Sequence, residues 1–467
     1  MNTRFDVIVI GMGPGGESLA GQLAEAGLSV LGIEKELVGG ECPYWGCIPS
    51  KMLIRAADLL AEARRIPGMA GEASVTPDWS PVARRVREAT DNWDDAVAVE
   101  RFERKGGHFV RGPGRIVGPG KVSVAETSFE ASRGIVIATG TSPTIPPIPG
   151  VADVAYWTNR EAIEADRLPA SLTVLGGGAV GLELAQVFGR FGVKVTVVEA
   201  LPHLLPMEEP EAGETLAEVL VAEGIEVHVG AKATSVEKDG EDIAVSLEGG
   251  LRLTGERVLV ATGRRANLDG LGLKAVGIDG SQRWIPVDAH LRAAPGVWAI
   301  GDLTGHGAFT HVAVYQAGIA AADILGKDGP GAEYIAVPRV TFTDPEVGSV
   351  GLSESQAQKK GMQVRTGLTQ VPTTARGWIH GPGNDGFIKL VEDADRGVLV
   401  GATLVGPRGG EVLSMLSLAV HAEVSTQRLQ QMVYAYPTLY RGIEDALRPL
   451  CATPVERPEV DVHATVR

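Results

Sequence analysis

The sequence is poor in cysteine, in aromatic residues and in long apolar runs. Only three of its 467 residues are cysteines, which excludes the disulfide framework of a small secreted domain. A net charge of −15 at pH 7 argues against a nucleic acid or an anionic membrane as a partner. No apolar run reaches the roughly 20 residues that a membrane-spanning helix needs. Because a strand pattern starts within the first few residues and leaves no room for a signal peptide, the sequence predicts a cytoplasmic protein.

Glycine, in contrast, is abundant, with 61 residues, and 44% of the chain is hydrophobic. At roughly 150 residues per domain, the length predicts about three domains. Each of them would be large enough to bury a core of its own. Several glycine clusters join an apolar run to a helical pattern, and this alternation is typical of an α/β enzyme.

The first glycine cluster lies close to the N-terminus. The stretch FDVIVIGMGPGGESLAGQLAEAG contains Gly11, Gly13 and Gly16, and VLGIEK places Glu34 about twenty residues later. Strand, glycine turn, helix and acid in this order are typical of a βαβ unit that binds a dinucleotide. The pattern predicts that the helix N-terminus binds the pyrophosphate and that Glu34 accepts hydrogen bonds from a ribose.

A second copy of this pattern occurs in SLTVLGGGAVGLELAQVFGRFGVKVTVVEA. Here Gly176, Gly178 and Gly181 form the turn, and Glu199 ends the next strand. A carboxylate at this position accepts from the 2′-hydroxyl of NAD and repels the 2′-phosphate of NADP. Because the following ALPHLLP supplies no arginine for that phosphate, the sequence predicts NADH as the coenzyme and leaves NADPH open.

Two cysteines follow the first dinucleotide pattern in GGECPYWGCIPSK. Cys42 and Cys47 precede a helical pattern, and Pro49 is suited to a first helical turn. Zinc sites usually need four ligands, and Cys451 is the only other cysteine, so no metal site is predicted. The motif instead predicts a redox-active disulfide beside a cofactor, with Cys47 at a helix N-terminus that favours its thiolate.

Together these motifs resemble the flavoprotein disulfide reductases, which include dihydrolipoamide dehydrogenase, glutathione reductase and mercuric reductase. The resemblance extends over nearly the whole chain, through VIATGTSP, VLVATGRRAN, VWAIGDLTG and PRVTFTDPEVGSVGLSE. It implies an α/β fold with two Rossmann-like dinucleotide-binding domains plus a C-terminal α+β dimerisation domain. It also implies FAD at the first dinucleotide site and NADH at the second. Further cofactor-binding residues implied by these motifs are Thr139, Gly140, Gly263, Gly301, Asp302 and His311.

The order of the motifs predicts the domain boundaries. Residues 1–150 form the first part of the FAD-binding domain, and residues 151–265 form the NAD(P)-binding domain. Residues 266–335 return to the flavin, residues 336–450 form the dimerisation domain, and residues 451–467 form a loosely ordered tail. The resemblance implies a homodimer in which the C-terminal domain of each partner completes the active site of the other.

The resemblance also implies a route for the electrons. NADH reduces FAD, FAD reduces the disulfide through Cys47, and Cys42 attacks a small disulfide substrate by thiol–disulfide exchange. Lys51 and Glu183 match residues that pair near the flavin in relatives, where a cation stabilises the charge on the reduced flavin.

The sequence departs from its relatives near the C-terminus. Dihydrolipoamide dehydrogenases and glutathione reductases have a His–Glu dyad there, which acts as acid and base on the attacking thiol. In VYAYPTLYRGIEDAL, Tyr436 occupies the histidine position and Arg441 the glutamate position. An unperturbed tyrosine titrates near pH 10 and is a poor base at neutrality. Reduction of lipoamide or glutathione is therefore less favoured than reduction of another small disulfide.

Two alternative functions remain open. The first is NAD(P)H-dependent reduction of quinones or metal ions, because mercuric reductases also have a tyrosine in this region. Ala179, where several relatives carry a flavin-covering tyrosine, favours this alternative. The second is a flavin-bearing redox sensor that turns over slowly.

A few other residues are ambiguous in the sequence. Pro43, Tyr44 and Trp45 replace small or aliphatic residues of the cysteine motif. Their rings offer a stacking surface to a planar substrate in one interpretation and pack against neighbours in the other. Cys451 is predicted to be a bystander, and His380 is predicted to be a loop residue without a catalytic role.

Overall fold

A computed structural model of the protein describes residues 3–451 and divides the chain into two compact units. The first unit comprises the chain up to Pro206 together with Ala217–Tyr334. The second comprises Met207–Leu216 together with the chain from Ile335 onward. Apart from Cys451, the predicted tail lies outside the described residues.

The strands are mostly short, and many follow the apolar runs of the sequence. They are β1 (Arg4–Ile10), β2 (Val30–Glu34), β3 (His108–Arg111), β4 (Gly114–Gly118), β5 (Lys121–Val124), β6 (Thr127–Ile137), β7 (Thr141–Pro143), β8 (Ser171–Leu175), β9 (Lys194–Val198), β10 (Glu226–His228), β11 (Ala233–Asp239), β12 (Asp242–Leu247), β13 (Arg252–Gly255), β14 (Arg257–Val260), β15 (Arg264–Ala266), β16 (Arg292–Ala294), β17 (Val297–Ala299), β18 (Arg339–Thr341), β19 (Glu346–Gly351), β20 (Val364–Gln370), β21 (Phe387–Asp393) and β22 (Val398–Gly406).

Among the described residues, no helix is both long and apolar enough to cross a membrane. The helices are α1 (Pro14–Glu25), α2 (Glu41–Tyr44), α3 (Cys47–Arg64), α4 (Ser80–Ala89), α5 (Ala96–Arg104), α6 (Asn159–Glu164), α7 (Ala179–Arg190), α8 (Pro210–Ala222), α9 (Thr310–Ile324), α10 (Glu354–Lys359), α11 (Ala375–His380), α12 (Gly409–His421), α13 (Thr426–Gln430) and α14 (Gly442–Cys451).

The largest sheet contains the first predicted dinucleotide unit. Its strand order is β16-β17-β6-β1-β2-β3, with β5 beside β6 and β4 beside β5. Strand β1 is parallel to both neighbours and is buried on both faces, so Val7 and Val9 enter one core while Ile8 and Ile10 enter the other. A parallel strand covered on both faces needs such a continuous apolar run. The glycine loop and Glu34 consequently lie at the carboxyl edge of this sheet.

The second dinucleotide unit is a four-stranded parallel sheet in the order β10-β9-β8-β14. Helix α7 connects β8 to β9, just as α1 connects β1 to β2. An antiparallel sheet, β11-β12-β13, and a two-stranded pair, β15-β7, complete the first unit. The prediction of two Rossmann-like domains in an α/β protein is confirmed.

The second unit is built on a five-stranded antiparallel sheet in the order β18-β19-β22-β21-β20. Helices α12 and α14 pack on this sheet. The core between them contains Leu390 and Leu404 from the sheet and Leu416 and Leu447 from the helices. Strands followed by helices on one sheet are typical of an α+β domain, which confirms the predicted class of the C-terminal region.

Candidate active site

The two glycine loops have the same backbone geometry. Gly11 follows β1 with φ +95°, and Gly176 follows β8 with φ +112°. A Cβ at Gly11 would lie 2.4 Å from the carbonyl oxygen of Ala138, and one at Gly176 would lie 2.4 Å from that of Ala261. Both positions therefore require glycine, for the backbone angle and for the close approach of the next strand end.

The middle glycine of each loop has no such requirement from the fold. Gly13 and Gly178 have φ −68° and −87°, which any residue adopts. A Cβ would meet nothing nearer than 4.0 Å at Gly13 and nothing within 4 Å at Gly178. Neither helix that follows has a side-chain cap on its first N–H groups. The free space beside each middle glycine would let a pyrophosphate approach the backbone closely, and the uncapped N–H groups would donate hydrogen bonds to it.

The acid at the end of each second strand is fixed by the backbone. Glu34 and Glu199 each accept one hydrogen bond from the second residue of their own glycine loop, at 2.8 and 2.7 Å. Each glutamate accepts a second hydrogen bond from the backbone N–H of the residue two positions after it in the chain, at 2.8 and 2.7 Å. A carboxylate has about four acceptor sites, so these contacts leave acceptor capacity for a ribose hydroxyl. Both loops thus fit a dinucleotide.

The Asp302 motif is fastened to the rest of the first unit by polar contacts. Asp302 accepts a 2.7 Å hydrogen bond from the Thr141 hydroxyl, which in turn accepts one from Arg264 at 2.8 Å. Burial raises the pKa of Asp302, and these two residues oppose that rise. The side chain of Gln316 is fully buried and accepts the N–H of Gly301 at 2.6 Å. The turn that would hold the flavin is therefore fixed on both sides.

The Thr139–Gly140 turn is held by a residue that is far away in sequence. The Thr139 hydroxyl donates to the carbonyl of Asn267 at 2.8 Å, and the Asn267 amide donates to the Thr139 carbonyl at 2.9 Å. Gly140 and Gly263 have φ +63° and +124°, so each Thr-Gly turn uses a glycine in the left-handed region. These contacts join the two parts of the predicted flavin domain.

The cysteine pair lies at two successive helices. Cys42 is in α2 and partly buried, whereas Cys47 is the first residue of α3 and exposed. Helix α3 thus begins at the predicted position, and Gly46 gives it no side-chain cap. Both cysteines are free thiols in this structure.

The two sulfurs differ in their affinity for a proton. The hydrogen bond from Cys42 lowers the pKa of Cys47 to about 6, with further lowering by the Thr310 hydroxyl and by Lys51. The same hydrogen bond to Cys47, together with burial, raises the pKa of Cys42. The Thr310 hydroxyl lies 3.4 Å from the Cys47 sulfur. These shifts favour a thiolate on Cys47 at neutral pH, while Cys42 keeps its proton.

This asymmetry predicts the pH dependence of labelling in the reduced protein. Because the pKa of Cys47 is lowered, its alkylation by iodoacetamide is expected to increase through a midpoint near pH 6. Burial raises the pKa of Cys451, so its labelling is expected to have a midpoint above the ordinary thiol value of about 8.5. Mass spectrometry of peptides labelled between pH 5 and pH 10 measures both. Equal midpoints for the two cysteines would contradict the asymmetry.

An ion pair places a cation beside the cysteines. Lys51 on α3 contacts buried Glu183 on α7, with 2.9 Å between Nζ and Oε2. Seven residues farther along both helices, buried Arg190 of α7 contacts Asp58 of α3 at 2.7 Å. The two ion pairs fix α3 against α7. The charge of Lys51 is thereby kept close enough to lower the pKa of Cys47.

The aromatic residues between the cysteines are buried. The Trp45 indole donates to Glu164 at 2.6 Å, and the Arg160 guanidinium lies over its ring at 4.2 Å from the centroid. The Tyr44 ring packs against the Trp45 ring, with centroids 5.9 Å apart. These contacts support packing, rather than a stacking surface for a planar substrate, as the role of both rings.

The other candidate residues of the first unit lie at helix ends. His311 is the second residue of α9, directly after Thr310, and its ring stacks on Phe309 with centroids 5.1 Å apart. Ala179 begins α7 after the second glycine loop and is partly exposed. The hydroxyl of Thr310, the residue before His311, reaches the Cys47 sulfur.

The C-terminal candidates belong to the second unit. Tyr436 is 70% exposed, and the Arg441 guanidinium lies 5.6 Å from the centroid of its ring. Arg441 also forms an ion pair with Glu444 at 2.8 Å. His380 is the last residue of α11, so the prediction that it lies in a loop is wrong. Cys451 ends α14. Tyr436 and Arg441 therefore lie beside each other, with the Arg441 guanidinium over the Tyr436 ring.

The sequence analysis assigned no role to several polar residues of the site, which are Thr310, Gln316, Thr141, Arg264 and Asn267. Thr141 lies within VIATGTSP, Arg264 and Asn267 lie within VLVATGRRAN, and Thr310 directly precedes His311. These motifs pointed to the region but not to the contacts of the residues. Each acts on a residue more than ten positions away, so a local pattern does not reveal it.

Comparison with known proteins agrees with this geometry. Residues 5–317 match the family described as pyridine nucleotide-disulphide oxidoreductase, and residues 337–447 match its dimerisation domain. The chain is 35% identical to the dihydrolipoyl dehydrogenase of Chlorobaculum tepidum, over 95% of this chain and 96% of the relative. It is 32% identical to a mercuric reductase of Bacillus cereus, over 96% of this chain and 71% of that protein.

Two solved structures are also similar. The Cu(II) complex of the HOCl-induced flavoprotein disulfide reductase RclA from Escherichia coli has a TM-score of 0.83 at 25% identity, covering 94% of this chain and 98% of RclA. LpdA from Mycobacterium tuberculosis has a TM-score of 0.83 at 29% identity, covering 97% of this chain and 100% of LpdA. Motifs, fold and relatives agree, and the chain belongs to the pyridine nucleotide-disulphide oxidoreductases, enzymes that use FAD and NAD(P)H.

Proposed function

We propose that this protein is an NADH-dependent reductase of a small disulfide, with Cys42 and Cys47 as its redox-active pair. The observation that carries the proposal is the position of the two thiols, with Cys42 in α2 and Cys47 at the start of α3, where its sulfur lies 3.4 Å from the Thr310 hydroxyl. The lowered pKa of Cys47 and the raised pKa of Cys42 agree with unequal roles for the two sulfurs. FAD would supply the two-electron link between the nicotinamide and this pair. The glycine loops, Glu34 and Asp302 are the groups that would hold it.

The cysteine pair would reduce one substrate disulfide in two exchange steps. Cys42 attacks one sulfur of the substrate, the substrate S–S bond breaks, and the first thiol leaves. Cys47 then attacks the Cys42 sulfur, which re-forms the protein disulfide and releases the second thiol. Two electrons pass from the dithiol to the substrate, and two protons accompany them. The partial exposure of Cys42 supports access of the substrate to the attacking sulfur.

Glu199 supports NADH as the donor. Its carboxylate is buried and held by two backbone N–H groups, so it is fixed at the place where the ribose of a dinucleotide would lie. A fixed anion there attracts the two ribose hydroxyls of NADH and repels the extra phosphate of NADPH. We expect a lower KM for NADH than for NADPH.

Tyr436 and Arg441 support an acceptor other than lipoamide or glutathione. We propose a homodimer in which these residues lie at the active site of the partner, and the match of residues 337–447 to a dimerisation domain supports the dimer. Tyr436 would supply a hydroxyl rather than an imidazole, and Arg441 a positive charge that suits an anionic substrate. Tyr436 therefore replaces the histidine that relatives use as the base for the attacking thiol.

A metal ion is the second candidate acceptor. The chain is similar to mercuric reductases, and RclA is known as a Cu(II) complex. A thiolate beside a thiol is a soft donor pair that suits such ions. Quinones have less support, because Tyr44 and Trp45 are buried and offer no stacking surface.

The test is an anaerobic titration of the flavin-loaded enzyme with NADH, followed by thiol labelling and an acceptor panel. NADH is expected to expose two new thiols, at Cys42 and Cys47, whereas labelling of Cys451 stays constant. The panel contains lipoamide, glutathione and mycothiol disulfides, a quinone, Hg(II) and Cu(II). Rapid turnover of one disulfide would support the proposal. Turnover of a metal ion or the quinone alone, with all disulfides inert, would contradict it.

A further inference from the structure

The segment that carries Cys42 is a single helical turn. Helix α2 ends with a hydrogen bond from the Trp45 N–H to the Glu41 carbonyl at 2.8 Å. A Cβ at Gly46 would lie 3.1 Å from that carbonyl oxygen and 3.5 Å from the Cα of Cys42, so α2 lies directly against the start of α3. One helical turn is not stable by itself. The position of Cys42 relative to Cys47 therefore depends on the groups that hold α2.

Asn159 holds both ends of this turn. It is the first residue of α6 and is only 7% exposed. Its amide nitrogen donates to the Glu41 carboxylate at 3.0 Å and to the Trp45 carbonyl at 2.8 Å. A carboxylate and a carbonyl both accept hydrogen bonds, so they require the amide nitrogen, and not its oxygen, on this side. One side chain thus joins the residue before Cys42 to the residue after the end of α2.

Other side chains of α6 support the same contact. Arg160 donates to the Glu41 carboxylate at 2.7 Å, and its guanidinium lies over the Trp45 ring. Glu164, the last residue of α6, accepts the Trp45 indole N–H at 2.6 Å. Both residues that Asn159 contacts are therefore also held through their side chains. Loss of the Asn159 amide alone is expected to loosen α2 without unfolding it.

Helix α6 is itself attached to the second dinucleotide sheet. Trp157, two residues before α6, donates its backbone N–H to Val258 at 2.7 Å and accepts the N–H of Val260 at 2.8 Å. Both valines belong to β14, and Thr158 caps the start of α6 with a capping box. Helix α6 therefore joins a strand of that sheet to the turn that carries Cys42.

We propose that Asn159 is a positioning residue that holds Cys42 beside Cys47 and thereby sets the reduction potential of the pair. Reduction breaks the S–S bond with two electrons and two protons, and oxidation re-forms the bond and releases them. Because re-formation is intramolecular, it depends on the effective concentration of one sulfur at the other. A Cys42 that is held in place favours the disulfide. This inference rests on the proposed function, because it takes Cys42 and Cys47 as the redox pair.

The test is the redox midpoint of the pair in the flavin-loaded protein. Anaerobic mixtures of reduced and oxidised dithiothreitol supply or accept the two electrons and two protons. Free Cys42 and Cys47 are labelled with N-ethylmaleimide at each potential and quantified by mass spectrometry. Asn159→Leu has nearly the native volume but no hydrogen-bond donor. We expect its midpoint to rise, and a tenfold fall in effective concentration corresponds to about 30 mV.

Two further variants make the result specific. Asn159→Ser keeps one donor on a shorter side chain and is expected to shift the midpoint upward by less. Asn384→Leu is the matched control, because the Asn384 amide donates to the Gly377 carbonyl at 2.8 Å in the second unit. This control is expected to leave the midpoint unchanged. The flavin spectrum checks the fold, and if Asn159→Leu does not retain flavin, the direction of the shift in Asn159→Ser decides.

The possible outcomes separate this proposal from the proposed function. An unchanged or lower midpoint in Asn159→Leu, or an equal rise in Asn384→Leu, would overturn the role of Asn159 and leave the redox pair intact. If Cys42 and Cys47 of the native protein did not gain and lose their labels together, the redox pair itself would be wrong. A higher midpoint in Asn159→Leu alone would support both.

Discussion

Replacement of Cys42 by serine is expected to reduce turnover of a small disulfide by about a thousandfold or more, the scale seen when a covalent nucleophile is removed. A serine hydroxyl does not ionise near neutral pH and does not form the mixed disulfide. It retains the size of cysteine and a hydrogen-bond donor toward Cys47. The thiolate on Cys47 is therefore expected to persist, and so is the bound flavin.

The same Cys42→Ser enzyme distinguishes a disulfide reductase from a reductase of quinones. Electrons that leave directly from the reduced flavin bypass the cysteine pair, so NADH-dependent reduction of a quinone is expected to change by less than about threefold. Steady-state rates with one disulfide and one quinone measure both effects. Cys451→Ser is the matched control, because Cys451 lies at the end of α14 in the second unit. Disulfide turnover that survives in Cys42→Ser would refute the assigned pair.

Replacement of Lys389 by methionine is expected to destabilise the second unit by about 3–5 kcal/mol, the usual cost of leaving buried charges without their partner. The Lys389 ammonium contacts Glu209 at 3.1 Å, Glu211 at 2.6 Å and Glu354 at 3.0 Å. Its side chain is only 6% exposed, and that of Glu209 only 2%. Burial lowers the pKa of Lys389, but the contacts with Glu211, Glu354 and Glu209 outweigh it and leave the pKa raised.

Thermal melting of the flavin-loaded protein measures this effect. For a unit of this size, the loss corresponds to a Tm decrease of roughly 10 °C. Lys359→Met, on the exposed end of α10, is the matched control and is expected to cost less than about 0.5 kcal/mol. Adding Glu209→Gln to Lys389→Met is expected to recover part of the stability, since one buried charge disappears. A Lys389→Met protein with the same Tm as the native protein would contradict a stabilising role for Lys389 and its three glutamates.

The segment that carries Glu209 and Glu211 forms contacts that its local sequence does not show. In the sequence it follows the second dinucleotide pattern directly, and it falls within the range 151–265. In the structure Met207–Leu216 belongs to the second unit, together with Lys389. Nothing local in the sequence pairs Glu209 with a lysine 180 positions away.

The sequence by itself determined the parts of this protein that depend on neighbouring residues. The glycine spacings, the acids at the strand ends and the cysteine pair before α3 are set by the backbone needs of one turn and one strand. Such needs permit few residue types, so the pattern predicted both dinucleotide folds and the start of α3. The family came from the resemblance of the motifs to known flavoproteins. The burial of Tyr44 and Trp45 remained open because both interpretations suit the same aromatic residues.

Only the tertiary structure decided which distant side chains meet. Thr310 reaches Cys47, Asn267 holds Thr139, and Gln316 secures Gly301. These contacts depend on how helices and strands pack, and many sequences could satisfy them with other polar residues. The affinity of each sulfur for its proton is fixed at this level too, because burial and the positions of nearby donors shift the pKa of a thiol, and the spacing of the cysteines does not show them.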